Sequence, residues 1–171
     1  MKYFFLVFLF LSCKSQSISF KDPLPSKEEQ ELIQEGFLWP VPASKRITSQ
    51  FNAKRKLGKH FRYHKGLDIG APKGTPVIAA KEGIVVTSGV MRGYGNVIMI
   101  RHFEDPKIIT IYAHNSKNIA KRGFFVEKGE VIAYVGSTGR STGNHLHFEM
   151  RKDEKVVDPL AYVNLENDQI I

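Results

Sequence analysis

Residues 145–150 combine imidazole and carboxylate side chains with a strict alternation of polar and apolar residues. On an extended strand, side chains point to opposite faces with a period of two, so His145, His147 and Glu149 would share one face. Two imidazoles two residues apart can address one reacting centre, as metal ligands or as proton-transfer groups, if another segment brings the remaining ligands. We therefore predict a strand with a site on one face and the protein core on the other.

Two other segments could complete such a site. In the stretch from His64 to Asp68, Gly66 disfavours a helix, and on an extended chain residues 64 and 68 again share a face. His114 ends an apolar, strand-like run at a loop, where functional residues tend to collect. The only cysteine, Cys13, is not positioned as a ligand, so a catalytic metal with an open position is favoured over a structural site closed by thiolates. Spacing alone does not assign the individual roles.

The motifs follow one another in a recognisable order: His-x3-Asp at 64–68, Tyr-Ala-His at 112–114 and Gly-x-Ser-Thr-Gly-x-His-Leu-His-Phe-Glu at 139–149. This ordered set resembles the lysostaphin-type (LytM-like) zinc peptidases, which cut peptidoglycan peptides. The resemblance extends from about Trp39 to Val163.

The resemblance implies a role for each candidate site residue. His64, Asp68 and His147 would bind one Zn²⁺, whereas His114 and His145 would be catalytic, orienting the water, moving protons and stabilising the oxyanion. The implied activity is that of a zinc metalloendopeptidase. It would hydrolyse peptide cross-links or stem peptides of bacterial peptidoglycan by attack of a zinc-activated water.

Several alternatives remain beside this interpretation. Glu149 could act as the base, although an ion pair or a contact to a ligand is the commoner duty of a strand glutamate. Ser141 and Thr142 lack a nucleophile elbow, so we assign them to loop geometry or substrate hydrogen bonding. The family usually has Phe-Gly-x-Arg at 51–54 and often proline in place of Asn144, and these departures bear on substrate preference. The competing function is a non-catalytic peptidoglycan-binding adaptor that activates another hydrolase, but such relatives typically lose ligands.

The chain carries 25 basic and 17 acidic residues, a net charge of +8 that favours anionic partners. The stretch 54–65 holds six of the cations with Phe61 and Tyr63 interleaved, a pattern that can bind nucleic acid. Because an exported protein rarely meets nucleic acid, we expect no such partner. We predict a solvated loop there, or else contact with an anionic envelope polymer, and we expect the protein to be a monomer.

The N-terminus has the features of an export signal. A lysine at position 2, an apolar run from Tyr3 to Leu11 and then Ser12-Cys13 suggest a secretory or lipoprotein signal over 1–13, too short to span a bilayer. We expect export to the periplasm or cell envelope, with membrane anchoring if Cys13 is lipidated and a soluble protein if cleavage is ordinary. Residues 14–36 would form a tether and a short helix over 27–35, started by the capping box Ser26 to Glu29.

The rest of the chain predicts an all-β fold. Pro40 and Pro42 keep the backbone extended, so the metallopeptidase domain would run over 37–165, followed by a tail at 166–171. Short apolar runs separated by turn residues predict an antiparallel two-sheet core with a groove. The runs are Val77 to Ala80, Ile84 to Ser88, Asn96 to His102, Ile108 to His114, Val131 to Val135 and His145 to Arg151.

Further features refine this picture. Residues 74–83 and 126–136 look like two copies of one hairpin motif, which also occurs in lipoyl and biotinyl carriers. A carrier needs a cofactor lysine flanked by methionine at a tight turn, and none is present. Tyr112 would share a strand face with His114, where it would line the groove or pack. We interpret His102 as a hydrogen-bonded structural histidine and His60 as exposed.

Overall fold

The computed structural model describes residues 36–57, 60–103 and 105–165. They form an all-β fold with a single turn of 3-10 helix at Pro159–Ala161. Within these ranges, no helix is long and apolar enough to cross a membrane. The predicted signal, Cys13, the helix at 27–35 and the tail at 166–171 lie outside the described residues.

The structure has fifteen strands within the described residues. They are β1 Phe37–Leu38, β2 Ile47–Ser49, β3 Lys54–Leu57, β4 His60–Tyr63, β5 Leu67–Gly70, β6 Pro76–Ile78, β7 Gly83–Met91, β8 Gly95–His102, β9 Ile108–Asn115, β10 Lys117–Asn118, β11 Phe125–Val126, β12 Val131–Tyr134, β13 His145–Lys152, β14 Lys155–Val157 and β15 Val163–Asn164.

The main sheet has eight strands and is antiparallel throughout. Its order is β11-β7-β8-β9-β13-β5-β2, with β14 paired to β13. A smaller antiparallel sheet, β10-β12-β6, contributes Val77, Ile132 and Ala133 to the same hydrophobic cluster as the main sheet. Strands β3 and β4 form a separate hairpin, and β1 and β15 form a parallel pair. The two-sheet prediction therefore holds only in part.

Strand β13 carries the alternation that the sequence predicts. Leu146, Phe148 and Met150 are fully buried in the core beneath the sheet. Because β13 pairs with β9 on one side and with β5 on the other, it lies inside the sheet. On its opposite face, His147 and Glu149 are also buried. That second face carries the polar residues of the predicted site.

The six predicted strands are present, with ends that differ by no more than three residues. The two glycine-rich hairpin motifs do pair with each other, because β6 runs antiparallel to β12. The prediction of a loop at 54–65 is wrong, because β3 and β4 pair there as antiparallel strands. The predicted solvent exposure holds along β4, whose side chains are all exposed.

Candidate metal centre

Three side chains from distant parts of the chain meet at one point. His64 Nε2 lies 3.0 Å from His147 Nδ1 and 3.0 Å from Asp68 Oδ1, and the third edge, His147 Nδ1 to Asp68 Oδ1, is also 3.0 Å. All three residues are buried. Ligand atoms about 2.0–2.1 Å from a tetrahedral zinc ion would be about 3.3 Å apart. The triangle therefore has nearly the size that such an ion requires.

Sheet pairing explains how two of these residues meet. Asp68 on β5 is the direct cross-strand partner of His147 on β13, so their side chains project from neighbouring positions on one face. His64 comes just before β5 and is held by two backbone hydrogen bonds. Its amide donates to the carbonyl of Ala53 at 3.0 Å, and its own carbonyl accepts from the amide of Asn52 at 2.8 Å.

The tautomers of the two imidazoles follow from their outer contacts. His64 Nδ1 donates to the carbonyl of Gln50 at 2.8 Å, and His147 Nε2 donates to Glu149 Oε2 at 3.4 Å. Each ring therefore turns a lone pair towards the triangle, where Asp68 adds a carboxylate oxygen. Three lone pairs facing one another repel unless a cation or a proton lies between them. The residues present thus fit a metal ion, and thiolates are not needed.

Two groups in this cluster have perturbed acidities. Burial raises the pKa of Asp68, but its contacts with His147 and His64, which are hydrogen bonds when a proton lies within the triangle, outweigh burial and place it well below the usual range. Burial lowers the pKa of His147, but hydrogen bonds to Asp68 and Glu149 outweigh it, so the pKa is raised. Each shift favours the charged form of its group, the carboxylate of Asp68 and the imidazolium of His147.

Glu149 contacts His147 at Nε2, the ring nitrogen that points away from the triangle. It is 0% exposed and accepts hydrogen bonds from Tyr94 Oη at 2.8 Å and from Arg151 Nε at 2.7 Å. Burial raises the pKa of Glu149, yet the bonds from His147, Arg151 and Tyr94 lower it below its usual value. The pKa of Tyr94 rises to about 12 through burial and the nearby Glu149 charge. With both oxygens engaged, Glu149 is placed to orient His147 rather than to act as a free base.

His114 and His145 lie beside the triangle. Their ring centroids are 4.9 Å apart, and His145 Nε2 is 3.6 Å from Asp68 Oδ1. His114 Nδ1 donates to the carbonyl of Thr138 and His145 Nδ1 to that of Gly143, each at 2.8 Å, which leaves both Nε2 atoms available. Burial lowers the pKa of His114 to about 4, so this ring is neutral at pH 7.

The backbone of His114 explains how it reaches the site. Its φ of +64° is left-handed, a conformation that is strained for a residue with a side chain. Simple alternation along β9 would place His114 on the core face with Tyr112, which is fully buried and accepts a hydrogen bond from the amide of Ala80. The positive φ ends this alternation, so Tyr112 packs in the core while His114 joins the site.

Two loops and the end of β9 meet in this part of the site. The amide of His114 donates to the carbonyl of Tyr94, and the amide of Arg140 donates to the carbonyl of Gly93, both at 2.9 Å. Gly95 is required where the β7–β8 turn contacts the loop that carries Thr138, because its φ is +67° and an added Cβ would lie 2.4 Å from Thr138.

The sequence patterns did not identify Tyr94, Arg55 or Ser49, which contact the triangle residues or their supports. Arg55 Nη2 donates to Asp68 Oδ2 at 2.5 Å and to Ser49 Oγ at 2.8 Å. Ser49 Oγ lies 3.3 Å from His64 Nδ1. No local pattern marks these residues, because they contribute through distant strands. Ser141 Oγ donates to the carbonyl of Gly143 and lies 3.4 Å from His145 Nδ1, which agrees with a role in loop geometry.

The remaining histidines lie apart from the triangle. His102 is buried and bonded to the carbonyl of Glu82 and to Thr110 Oγ1, both at 2.9 Å, so its interpretation as structural is confirmed. Burial lowers its pKa. His60 is exposed on β4, as predicted.

The triangle opens into a cleft of about 670 Å³. Its walls include the β3–β4 hairpin, the β7–β8 turn and the loop before β13. This volume is within the range of small-molecule pockets.

Comparisons with known proteins agree with this geometry. The profile described as Peptidase family M23 matches residues 62–159. The DD-carboxypeptidase/endopeptidase Mpg of Neisseria meningitidis serogroup B is 42% identical over 137 residues, covering 78% of this chain and 31% of that protein. The Uncharacterized lipoprotein YgeR of Escherichia coli is 38% identical over 151 residues, covering 88% and 56%. The Murein hydrolase activator NlpD of Salmonella typhimurium is 37% identical over 126 residues, covering 73% and 31%.

Solved structures show the same fold. A zinc containing peptidase from Vibrio cholerae superposes with a TM-score of 0.65 at 38% identity, covering 72% of this chain and 39% of that one. The catalytic domain of lysostaphin from Staphylococcus simulans superposes with a TM-score of 0.63 at 30% identity, covering 70% and 92%. The chain spans less than a third of the length of the Neisseria relative, at 31%. By the profile match and by these relatives, the chain belongs to peptidase family M23.

Proposed function

We propose that the protein is a zinc-dependent endopeptidase that hydrolyses peptide cross-links or stem peptides of bacterial peptidoglycan. The observation that carries this proposal is the triangle of His64, Asp68 and His147, whose lone pairs face one point at the base of an open cleft. Zinc bound there would polarise a water molecule and the scissile carbonyl. With two neutral imidazoles and one carboxylate, the loaded centre keeps a net positive charge.

His114 and His145, the two site histidines outside the triangle, would transfer protons and stabilise the charge that develops on the substrate. His114 and His145 each donate through Nδ1 to a backbone carbonyl, and this fixes the ring so that Nε2 faces the cleft. A neutral Nε2 can accept a proton from the attacking water and return it to the leaving amine. Once protonated, the same atom can stabilise the oxyanion. Glu149 and Gln50 hold the tautomers of the ligand rings, and Arg55 holds Asp68.

The substrate and the location are also proposals. Similarity to a protein named DD-carboxypeptidase/endopeptidase supports a cell-wall peptide as substrate. Similarity to proteins named as lipoproteins supports export to the cell envelope and anchoring through a lipidated Cys13. We further propose that the peptidase domain occupies residues 37–165 and acts as a monomer.

The alternative function is activation of another cell-wall hydrolase, favoured by similarity to a protein named murein hydrolase activator. An activator needs only the cleft and not the reactive groups. Retention of all five residues, His64, Asp68, His114, His145 and His147, favours the enzyme.

The test is digestion of purified peptidoglycan by the chain lacking residues 1–13. The zinc-loaded protein should release new peptide amino groups, and a chelator should abolish the release until zinc is restored. His114→Ala and His145→Ala should each lower the rate at least ~100-fold. His60→Ala is the matched control, because this histidine is exposed on the hairpin, and it should retain the parent rate.

Equal retention of peptidoglycan fragments by all variants, without cleavage by the zinc-loaded parent, would contradict the enzyme and support the activator.

A further inference from the structure

The cleft is lined by five cations that have no countercharge of their own. We call them the cleft cations: Lys56, Arg62, Lys65, Arg92 and Arg140. All are exposed, and none forms an ion pair with a residue that the structure describes. The two carboxylates that line the cleft, Asp68 and Glu149, are already committed to Arg55 and the site histidines and to Arg151. The cleft therefore lacks a balancing negative charge.

The cleft cations lie on two walls. Lys56 and Arg62 belong to the β3–β4 hairpin and Lys65 follows it, and this hairpin is joined to Asp68 through Arg55. Arg92 and Arg140 belong to the loops that hold His114, since the amide of Arg140 donates to the carbonyl of Gly93. Cationic groups thus flank the triangle on the Asp68 side and on the His114 side.

This arrangement raises the electrostatic potential where a ligand would bind. Like charges in a cleft repel one another, and a divalent metal ion bound at its base would add to the repulsion. An anionic ligand relieves this repulsion, and guanidinium groups suit carboxylates because they can form two parallel hydrogen bonds. On a ligand cleaved at an amide, the available anions are side-chain and terminal carboxylates.

We infer that the cleft selects peptides that carry free carboxylates on both sides of the scissile amide. This inference rests on the proposed function and adds to it a chemical class of substrate. Carboxylate-bearing stem peptides would be good substrates, and uncharged bridges such as oligoglycine would be poor ones. The cations at 54–65 would then serve substrate recognition rather than only solubility.

The test compares two synthetic peptides of one sequence, one with free carboxylates and one with every carboxylate converted to a carboxamide. With the zinc-loaded protein, kcat/KM for the free acid should exceed that for the amide at least ~10-fold, and the ratio should shrink as salt is added. The double variants Arg92→Gln/Arg140→Gln and Lys56→Gln/Arg62→Gln should each reduce this ratio. A purely structural defect would lower both rates and leave the ratio unchanged.

The matched control is Lys73→Gln/Lys155→Gln, which removes the same charge from exposed positions outside the cleft and should keep the parent ratio.

Equal cleavage of both peptides by the parent would overturn the inference while leaving the proposed peptidase activity intact. If neither peptide is cleaved, the proposed function fails, and binding of the two peptides, measured by calorimetry, decides the inference. A tenfold preference for the acid supports it, and no preference overturns it. Displacement of the free-acid peptide by inorganic polyphosphate at lower concentration than the unlabelled peptide itself would also overturn it.

Discussion

Arg55 donates from Nη2 to Oδ2 of Asp68 at 2.5 Å, while Oδ1 of the same carboxylate faces both imidazoles of the triangle. The guanidinium thus occupies one carboxylate oxygen and leaves the other for a metal. Coordination by one oxygen keeps a position open for water, which a catalytic centre requires. The hairpin that bears Arg55 is in this way coupled to the candidate metal centre.

Replacing Arg55 by alanine should weaken zinc binding by about 10-fold to 100-fold, because Asp68 would lose the contact that orients it. Competition with a chromogenic chelator measures the affinity directly. Arg62→Ala removes the same charge from the cross-strand partner of Arg55 and should leave the zinc affinity near that of the parent. Equal affinities for all three proteins would show that Arg55 does not position the ligand.

Replacing Glu149 by glutamine should destabilise the protein by about 3 kcal/mol, because Arg151 and His147 would lose a buried anionic acceptor. Urea unfolding of the metal-free protein measures this loss. Glu127→Gln is the control, since Glu127 is exposed on the surface. A loss no larger than that of the control would contradict the role of Glu149 as a buried support.

The stability of the protein should depend on His102 in mildly acidic solution. Burial lowers the pKa of His102 in the folded state, whereas in the unfolded chain it should be about 6.5. The unfolded state therefore binds more protons between these two pKa values. The contribution of His102 is fully present above about pH 6.5 and declines as the pH falls towards the lower folded-state pKa.

Urea midpoints at several pH values should therefore show a steeper loss below pH ~6.5 for the parent than for His102→Gln, whose side chain does not titrate. The comparison cancels the carboxylates with depressed pKa values, which act in both proteins. Parallel pH profiles for the two proteins would refute the assignment.

Replacing Gly95 by alanine should cost about 2–4 kcal/mol of stability and lower activity as well. The new Cβ would have to lie 2.4 Å from Thr138, in a backbone with φ of +67°. The carbonyl of Thr138 also accepts the hydrogen bond of His114, so relaxation of this loop would displace the side chain that we propose to be catalytic. Thermal unfolding and peptide cleavage measure the two effects.

Gly89→Ala is the appropriate control, because an added Cβ there meets nothing within 4 Å. If Gly95→Ala has the stability and activity of this control, the contact between Gly95 and Thr138 tolerates a side chain and the prediction is wrong.

The sequence by itself determined the strand at 145–152 and the class of chemistry on it. Alternation with a period of two is a local property, so the core face and the site face of β13 could be predicted without knowing the neighbouring strands. The spacing of His64 and Asp68 and the resemblance to zinc peptidases likewise depend only on the order of residues. Apolar runs bounded by turn residues located the other long strands for the same reason.

The tertiary structure decided what depends on distant segments. Short strands such as β2 and β10 form because a partner strand is present, and no local pattern predicts these two. The face to which His114 turns depends on one left-handed backbone angle held by the loops of Tyr94 and Thr138. The contacts of Arg55 with Asp68 and of Tyr94 with Glu149 link residues far apart in sequence. Such contacts follow from strand pairing and loop packing, and only the folded chain brings them together.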